Sequence, residues 1–140
     1  MSKLLELTET FYDASWDFST RLCLLPNQLT SQDDPEIQPD FIIAKYKEEI
    51  GPFLNLEGKD IPRTHHTTFD QLDTTIRNEV FPALDVLKEE WDELIANPKS
   101  ITQASKLAFA EKSAYIANLV DMYVIAQAAE MRDELRLMLV

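Results

Sequence analysis

The chain has 140 residues, 45% of them apolar and 27% charged, with a formal net charge of −12 at pH 7. That length and composition allow one soluble domain with its own core, and so acidic a surface excludes nucleic-acid backbone and anionic membrane as partners while favouring cationic ones, metal ions included. A single cysteine, Cys23, rules out an intrachain disulfide and a thiolate zinc site and fits a reducing compartment.

The acid is spread along the chain: residues 1–60 carry five Lys/Arg against twelve Asp/Glu, and residues 61–140 carry eight against thirteen. The start, MSKLLELTETF, has acid where a signal peptide needs an apolar run. No window approaches the roughly eighteen uncharged apolar residues of a membrane span. A cytoplasmic location without a membrane partner is expected.

With only Gly51 and Gly58 as glycines and little β-branched alternation, the sequence reads as all-α. A first helix is predicted from Ser2, a good N-cap, to Leu24, with Leu4, Leu7, Phe11, Phe18 and Leu22 at helical spacing. The segment PNQLTSQDDPEIQP (26–39) ends it. A second helix follows from Pro39 to Ile50, stopped by Gly51-Pro52, and Asn55 to His66 is predicted as loop. The helical pattern resumes from Thr67 to Ala96, with a kink or short break near Phe81 forced by Pro82. After a tight connection at Asn97-Pro98-Lys99, Ser100 to Gln103 has the form of a capping box.

The last helix then extends from Ser100 nearly to Val140, about 40 residues and about 60 Å. A compact domain of this size has a radius of gyration of only about 14 Å. Such a helix is therefore expected to project and to be covered by a second subunit. The expected architecture is one domain over residues 1–140, a helical bundle of four to five helices completed by homodimerisation, with N-terminal helices in 1–54 and the bundle core in 67–140.

Two acidic patterns point to chemistry. Leu87 to Leu94 reads LKEEWDEL, in which Glu90 and Glu93 form an i,i+3 pair on one helix face. Ala114 to Ala126 reads AYIANLVDMYVIA, thirteen residues interrupted only by Asn118 and Asp121, a second i,i+3 pair. An ionised carboxylate in a buried segment needs a cation or several donors, so a partner is expected for Asp121. Glu93 lies about four residues before the Asn97 turn and Asn118 about nineteen after Lys99, so bringing the pairs level requires a bend, a longer loop or a frayed helix start before about Gln103 to Lys106. If they meet, three carboxylates and one amide oxygen suit Mg²⁺ or Mn²⁺. Such an ion can grip a triphosphate while Glu90 or Glu93 orients or deprotonates the attacking water.

LKEEWDEL followed by ANLVDMYVIA resembles the MazG-like all-α nucleoside triphosphate pyrophosphohydrolases, over residues 84 to 130. That family carries Glu-Glu-x-x-Glu on one helix and Glu-x-x-Asp before an apolar run on the next. The resemblance implies Mg²⁺ (or Mn²⁺) held by Glu90, Glu93 and Asp121. Asn118 stands where the family has Glu, and Glu89 where it often has an extra acid. It also implies a nucleotide substrate hydrolysed to the monophosphate and pyrophosphate, within a homodimer or higher even oligomer. Lys88, Lys112, Arg132 and Arg136 are the nearest candidates for the phosphates.

Other readings of the same residues stay open. Glu89, Glu90, Asp92 and Glu93 can be a solvated acidic face, and Asn118 and Asp121 a buried polar pair bonded to a Tyr, an Arg or a second subunit. A non-enzymatic acidic interaction protein, covering a basic surface of a partner, is the alternative function. His65 and His66, adjacent in sequence, diverge too far to grip one ion and are expected in a loop or an N-terminal turn. Trp16, Trp91, Tyr115 and Tyr123 are expected in the core, Trp91 with the option of flanking a base, and Cys23 as a small buried residue.

Overall fold

In the computed structural model, which describes residues 2–139, helix α1 spans Ser2–Leu24 as its periodicity predicts. Its inward stripe is Leu4, Thr8, Phe11, Ser15, Phe18 and Leu22, all buried. This alternation of three- and four-residue steps keeps one seam facing neighbouring helices along the whole element. The two hydroxyl residues in the seam are satisfied. Thr8 Oγ1 donates to the Leu4 carbonyl at 2.7 Å, and Ser15 Oγ lies 2.8 Å from the Tyr46 phenol oxygen. Small side chains there also let the next helix approach, so that Phe18 and Tyr46 stack with ring centroids 4.0 Å apart.

After α1 come a 3₁₀ turn, Leu25–Asn27, and a single helical turn, α2 (Gln28–Ser31). Burial of Leu25 and Leu29 holds both against the core. Gln32, at φ 47°, ends the turn in the left-handed region. Helix α3 then spans Pro39–Leu54, passing through Gly51-Pro52 rather than stopping there. The residue before a proline is normally kept out of the helical region by its Cβ and N–H. Gly51 has no Cβ, which relieves the clash, and the continued turn buries Phe53 and Leu54. The expected loop from Asn55 to His66 is two 3₁₀ turns, Gly58–Asp60 and Arg63–His65, with His66 already the first residue of the next helix.

Residues 66–96 form one rod made of α4 (His66–Thr75), a π-helical turn (Ile76–Val80) and α5 (Phe81–Ala96). The break predicted near Phe81 is this π turn. Pro82 cannot donate to the carbonyl four residues back and its ring presses on it. The wider turn just before it, closed by the Phe81 N–H on the Ile76 carbonyl, absorbs the misfit without parting the rod. A 3₁₀ turn, Pro98–Ser100, makes the connection, and the capping box sits two residues later than predicted. Thr102, with extended backbone, is the N-cap, and Thr102 and Ser105 cap one another's backbone N–H. The last rod, residues 103–138, joins α6 (Gln103–Val120), a second π turn (Asp121–Ile125) and α7 (Ala126–Met138).

The four long rods form an up-down-up-down bundle, each antiparallel to its neighbours. Ser15–Tyr46 and Phe11–Phe53 set α1 against α3. Lys88–Asp40 and the Lys47 ammonium over the Phe81 ring set α3 against α5. Trp91–Phe109 and Glu90–Lys112 set α5 against α6, while Ser113 to the Leu22 carbonyl and Arg136–Glu9 set the last rod against α1. The last rod, roughly 54 Å long at 1.5 Å per residue, does not project. It lies along α1 nearly from end to end, because the domain is an elongated bundle and not the sphere that the comparison with a radius of gyration supposes. Projection, the ground for expecting a homodimer, is therefore absent. Among the described residues no helix is long and apolar enough to cross a membrane.

Burial of the Tyr46 phenol pushes its pKa upward, with the Ser15 hydrogen bond pulling weakly the other way. The neutral phenol is the folded form, so its contribution to stability is complete below the unfolded value of about 10 and is lost as pH rises beyond it. Urea unfolding against pH is expected to show this alkaline decline. Tyr46→Phe should flatten it while costing about 1 kcal/mol at neutral pH, because the Ser15 hydroxyl loses its partner.

Candidate functional site

Helix α5 places Glu90 and Glu93 on its outer side, but their environments differ. Glu90 is half-buried and ion-paired with Lys112 of α6, whereas Glu93 is exposed and has no ion pair among the described residues. Glu89 is likewise exposed, and Asp92 accepts from Lys88 at 3.1 Å. The four acids behave as a solvated face cross-braced by lysines.

The stretch Ala114–Ala126 is not the buried segment its composition suggests. Seven of its thirteen residues are exposed, Asn118 and Asp121 among them, because one side of the last rod faces solvent. Asp121 does have a partner: the Ser19 hydroxyl of α1 donates to its Oδ1 at 2.7 Å. Half-exposed and bonded to a neutral donor, this carboxylate needs no counter-ion. Asn118 faces the other neighbouring rod, in a pocket it shares with Glu79.

The two acidic pairs are not brought together within the chain. Trp91 against Phe109, centroids 5.7 Å apart, and Glu90 against Lys112 fix the register of α5 on α6. From Lys112, Asp121 lies roughly 14 Å further along its helix, and Asn118 roughly 9 Å. A hexacoordinate Mg²⁺ holds its oxygens at about 2.1 Å. The expected metal set of Glu90, Glu93, Asn118 and Asp121 therefore does not fit one ion, and Glu90 and Glu93 are not placed as a catalytic pair beside it. The last rod does start late, at Gln103, yet Glu90 meets Lys112 and not Asn118 or Asp121. Among the described residues no group of three or more His, Cys, Asp or Glu is arranged to hold a metal ion.

The basic residues considered for phosphate are each engaged with acid. Lys88 contacts Asp92 and Asp40, and those hydrogen bonds, Asp92's first, raise its pKa. Lys112 holds Glu90. Arg132 contacts Asp133 and lies over the Tyr12 ring, and Arg136 pairs with Glu9, both far along the bundle from Glu90. Trp91 is buried against Phe109 and flanks no open site. His65 does fall in an N-terminal turn, but buried. Its Nε2 is 2.9 Å from Glu134 of α7, close enough for an ion pair though not aligned as a hydrogen bond. Cys23 and Trp16, expected inside, are exposed.

What sequence reasoning missed is the outer groove between the third and fourth rods. Its upper part, about 480 Å³, is floored by Ala83, Leu87, Ala108 and Ile116 and edged by Val86, Glu111 and Lys112. Tyr115 is common to this part and to the next, about 370 Å³, where Glu79, Asn118, Leu119, Met122 and Tyr123 form the lining. Tyr123 carries the groove on toward Asp70 and Gln127. Val86, Tyr115, Met122 and Tyr123 are exposed by 55%, 65%, 65% and 51%, a row of large apolar side chains left in water. Tyr115 and Tyr123 were expected in the core. The legible signal was Glu79, Asn118 and Tyr115 on facing helices, but their meeting depends on register. Neither a family model nor a characterised protein nor a solved structure matches the chain.

The Ser19–Asp121 contact is measurable. Ser19→Ala and Asp121→Ala should each cost about 1 kcal/mol in urea unfolding, and the double variant should cost little more than either. Additive losses would show that the two side chains do not interact.

Proposed function

We propose that the chain is a non-enzymatic interaction module, an acidic four-helix bundle whose outer groove takes a basic amphipathic helix from a partner protein. One observation carries this reading: adjoining pockets between two antiparallel rods, sharing Tyr115 and Tyr123, expose large apolar side chains and are flanked by acids that have no ion pair among the described residues. Among the described residues Glu79, Glu111 and Asp70 line the groove unpaired, and its one lysine, Lys112, is already held by Glu90. Contiguous exposed apolar surface rimmed by charge marks a binding face, and a groove between helices accepts a third helix by its apolar stripe. Charge decides the occupant. A basic helix gains attraction from the net charge of −12, whereas a second copy of this chain would bring like acids together.

Metal-dependent hydrolysis of a nucleoside triphosphate, which the MazG-like resemblance implies, is the competing proposal. It needs Glu90, Glu93, Asn118 and Asp121 around one Mg²⁺ or Mn²⁺, and the register of α5 on α6 speaks against that convergence.

The two readings separate in one set of measurements. A lysine- and leucine-patterned helical peptide should bind the full chain, more weakly as salt rises, and Val86→Ser with Met122→Ser should weaken it at least several-fold with the fold intact by circular dichroism. Mn²⁺ should leave the melting midpoint unchanged, and common NTPs and dNTPs should release no pyrophosphate. A raised midpoint together with pyrophosphate release would overturn the interaction reading in favour of hydrolysis.

A further inference from the structure

The middle of the groove differs from the rest in its backbone. Two π turns, Ile76–Val80 of the third rod and Asp121–Ile125 of the fourth, both lend residues to the pocket of Glu79, Tyr115, Asn118, Leu119, Met122 and Tyr123, the first turn packing against α6 and the second against α4. Each π turn widens its helix and re-aims the side chains around it, and such turns recur at functional sites. Here one of them supplies Glu79 and the other Met122 and Tyr123.

We propose that this pocket is a subsite for one cationic side chain of the bound helix, an ammonium or guanidinium on a methylene stem. The inference rests on the interaction reading above and names what the groove recognises. Its chemistry follows from the lining. Glu79 supplies a carboxylate that has neither an ion pair nor a hydrogen bond among the described residues, and the Asn118 side chain has no partner there either. A cation meeting Glu79 makes a charge-assisted hydrogen bond, and the Asn118 amide oxygen offers a second acceptor. Tyr115 and Tyr123 present aromatic rings that attract positive charge. Leu119 and Met122 give the aliphatic stem an apolar wall, the surface on which long basic side chains lay their methylenes. No lysine or arginine lines the pocket, so an anion would meet Glu79 uncompensated, and a neutral group would bury that carboxylate without a partner.

The test uses the full chain and three fluorescent helical peptides that differ only at one central position, which holds Lys, Arg or norleucine. On the native protein the Lys or Arg peptide, or both, should bind roughly tenfold more tightly than the norleucine peptide, the size expected of a charge-assisted contact. Glu79→Gln should abolish that preference by weakening the Lys and Arg peptides, while the norleucine peptide binds no more weakly than to the native protein. Glu6→Gln, the same change of charge on the exposed side of α1, should preserve it. Tyr115→Leu with Tyr123→Leu should reduce the preference several-fold while keeping apolar contact. If all three peptides bind equally, or if Glu6→Gln acts as strongly as Glu79→Gln, the cation subsite is overturned while the groove reading stands. If no peptide binds, the groove reading itself fails.

Discussion

The antiparallel register between the third and fourth rods decides what this surface can do. It is set at one end by the short turn through Pro98–Ser100 and locked by Trp91 on Phe109 and Glu90 on Lys112. Once those contacts are made, every residue further along α6 is opposite an earlier residue of the preceding rod. Asn118 and Asp121 are thereby carried away from Glu90 and Glu93, and Asn118 and Tyr115 are carried toward Glu79. A shift of a single turn would part these residues, and the buried pair of Trp91 and Phe109 holds them in register.

A chain this acidic must keep its carboxylates from destabilising the fold, and the bundle does so locally. Arg21 engages Asp17 and Glu36, Lys45 reaches Asp17 and Glu49, and Lys88 joins Asp40 to Asp92. Most of these pairs are substantially exposed, where each contributes little net stability. Their effect is to spend the available cations away from the groove. The acids left over include Glu79, beside the exposed Tyr115 and Tyr123, which supports the proposed cationic partner.

Between these two features stand the π turns. The first follows from Pro82, whose missing N–H and bulky ring demand a wider turn just upstream. The second has neither proline nor glycine and packs against α4. Both lend residues to the pocket of Glu79 and Tyr123 while the rods stay continuous, so that pocket is built on helices and not on a loop. For the proposed cation contact such placement would limit the ordering entropy lost on binding.

The amino-acid sequence alone determined the all-α class, the extent of α1, the disturbance near Phe81 and the absence of a membrane-spanning run, because periodicity, proline chemistry and composition act within a few residues of themselves. Gly51-Pro52 misled because a local stop signal was outweighed by burial of Phe53 and Leu54. AYIANLVDMYVIA misled because composition does not say how many sides of a helix are covered, and here one side is open. The partner of Asp121 was legible as a need but not as Ser19, which lies 102 residues away. Only tertiary structure decided which acids stand together, since that depends on the register of one rod against another, and register is set by side chains such as Trp91 and Phe109 whose contact no local pattern encodes.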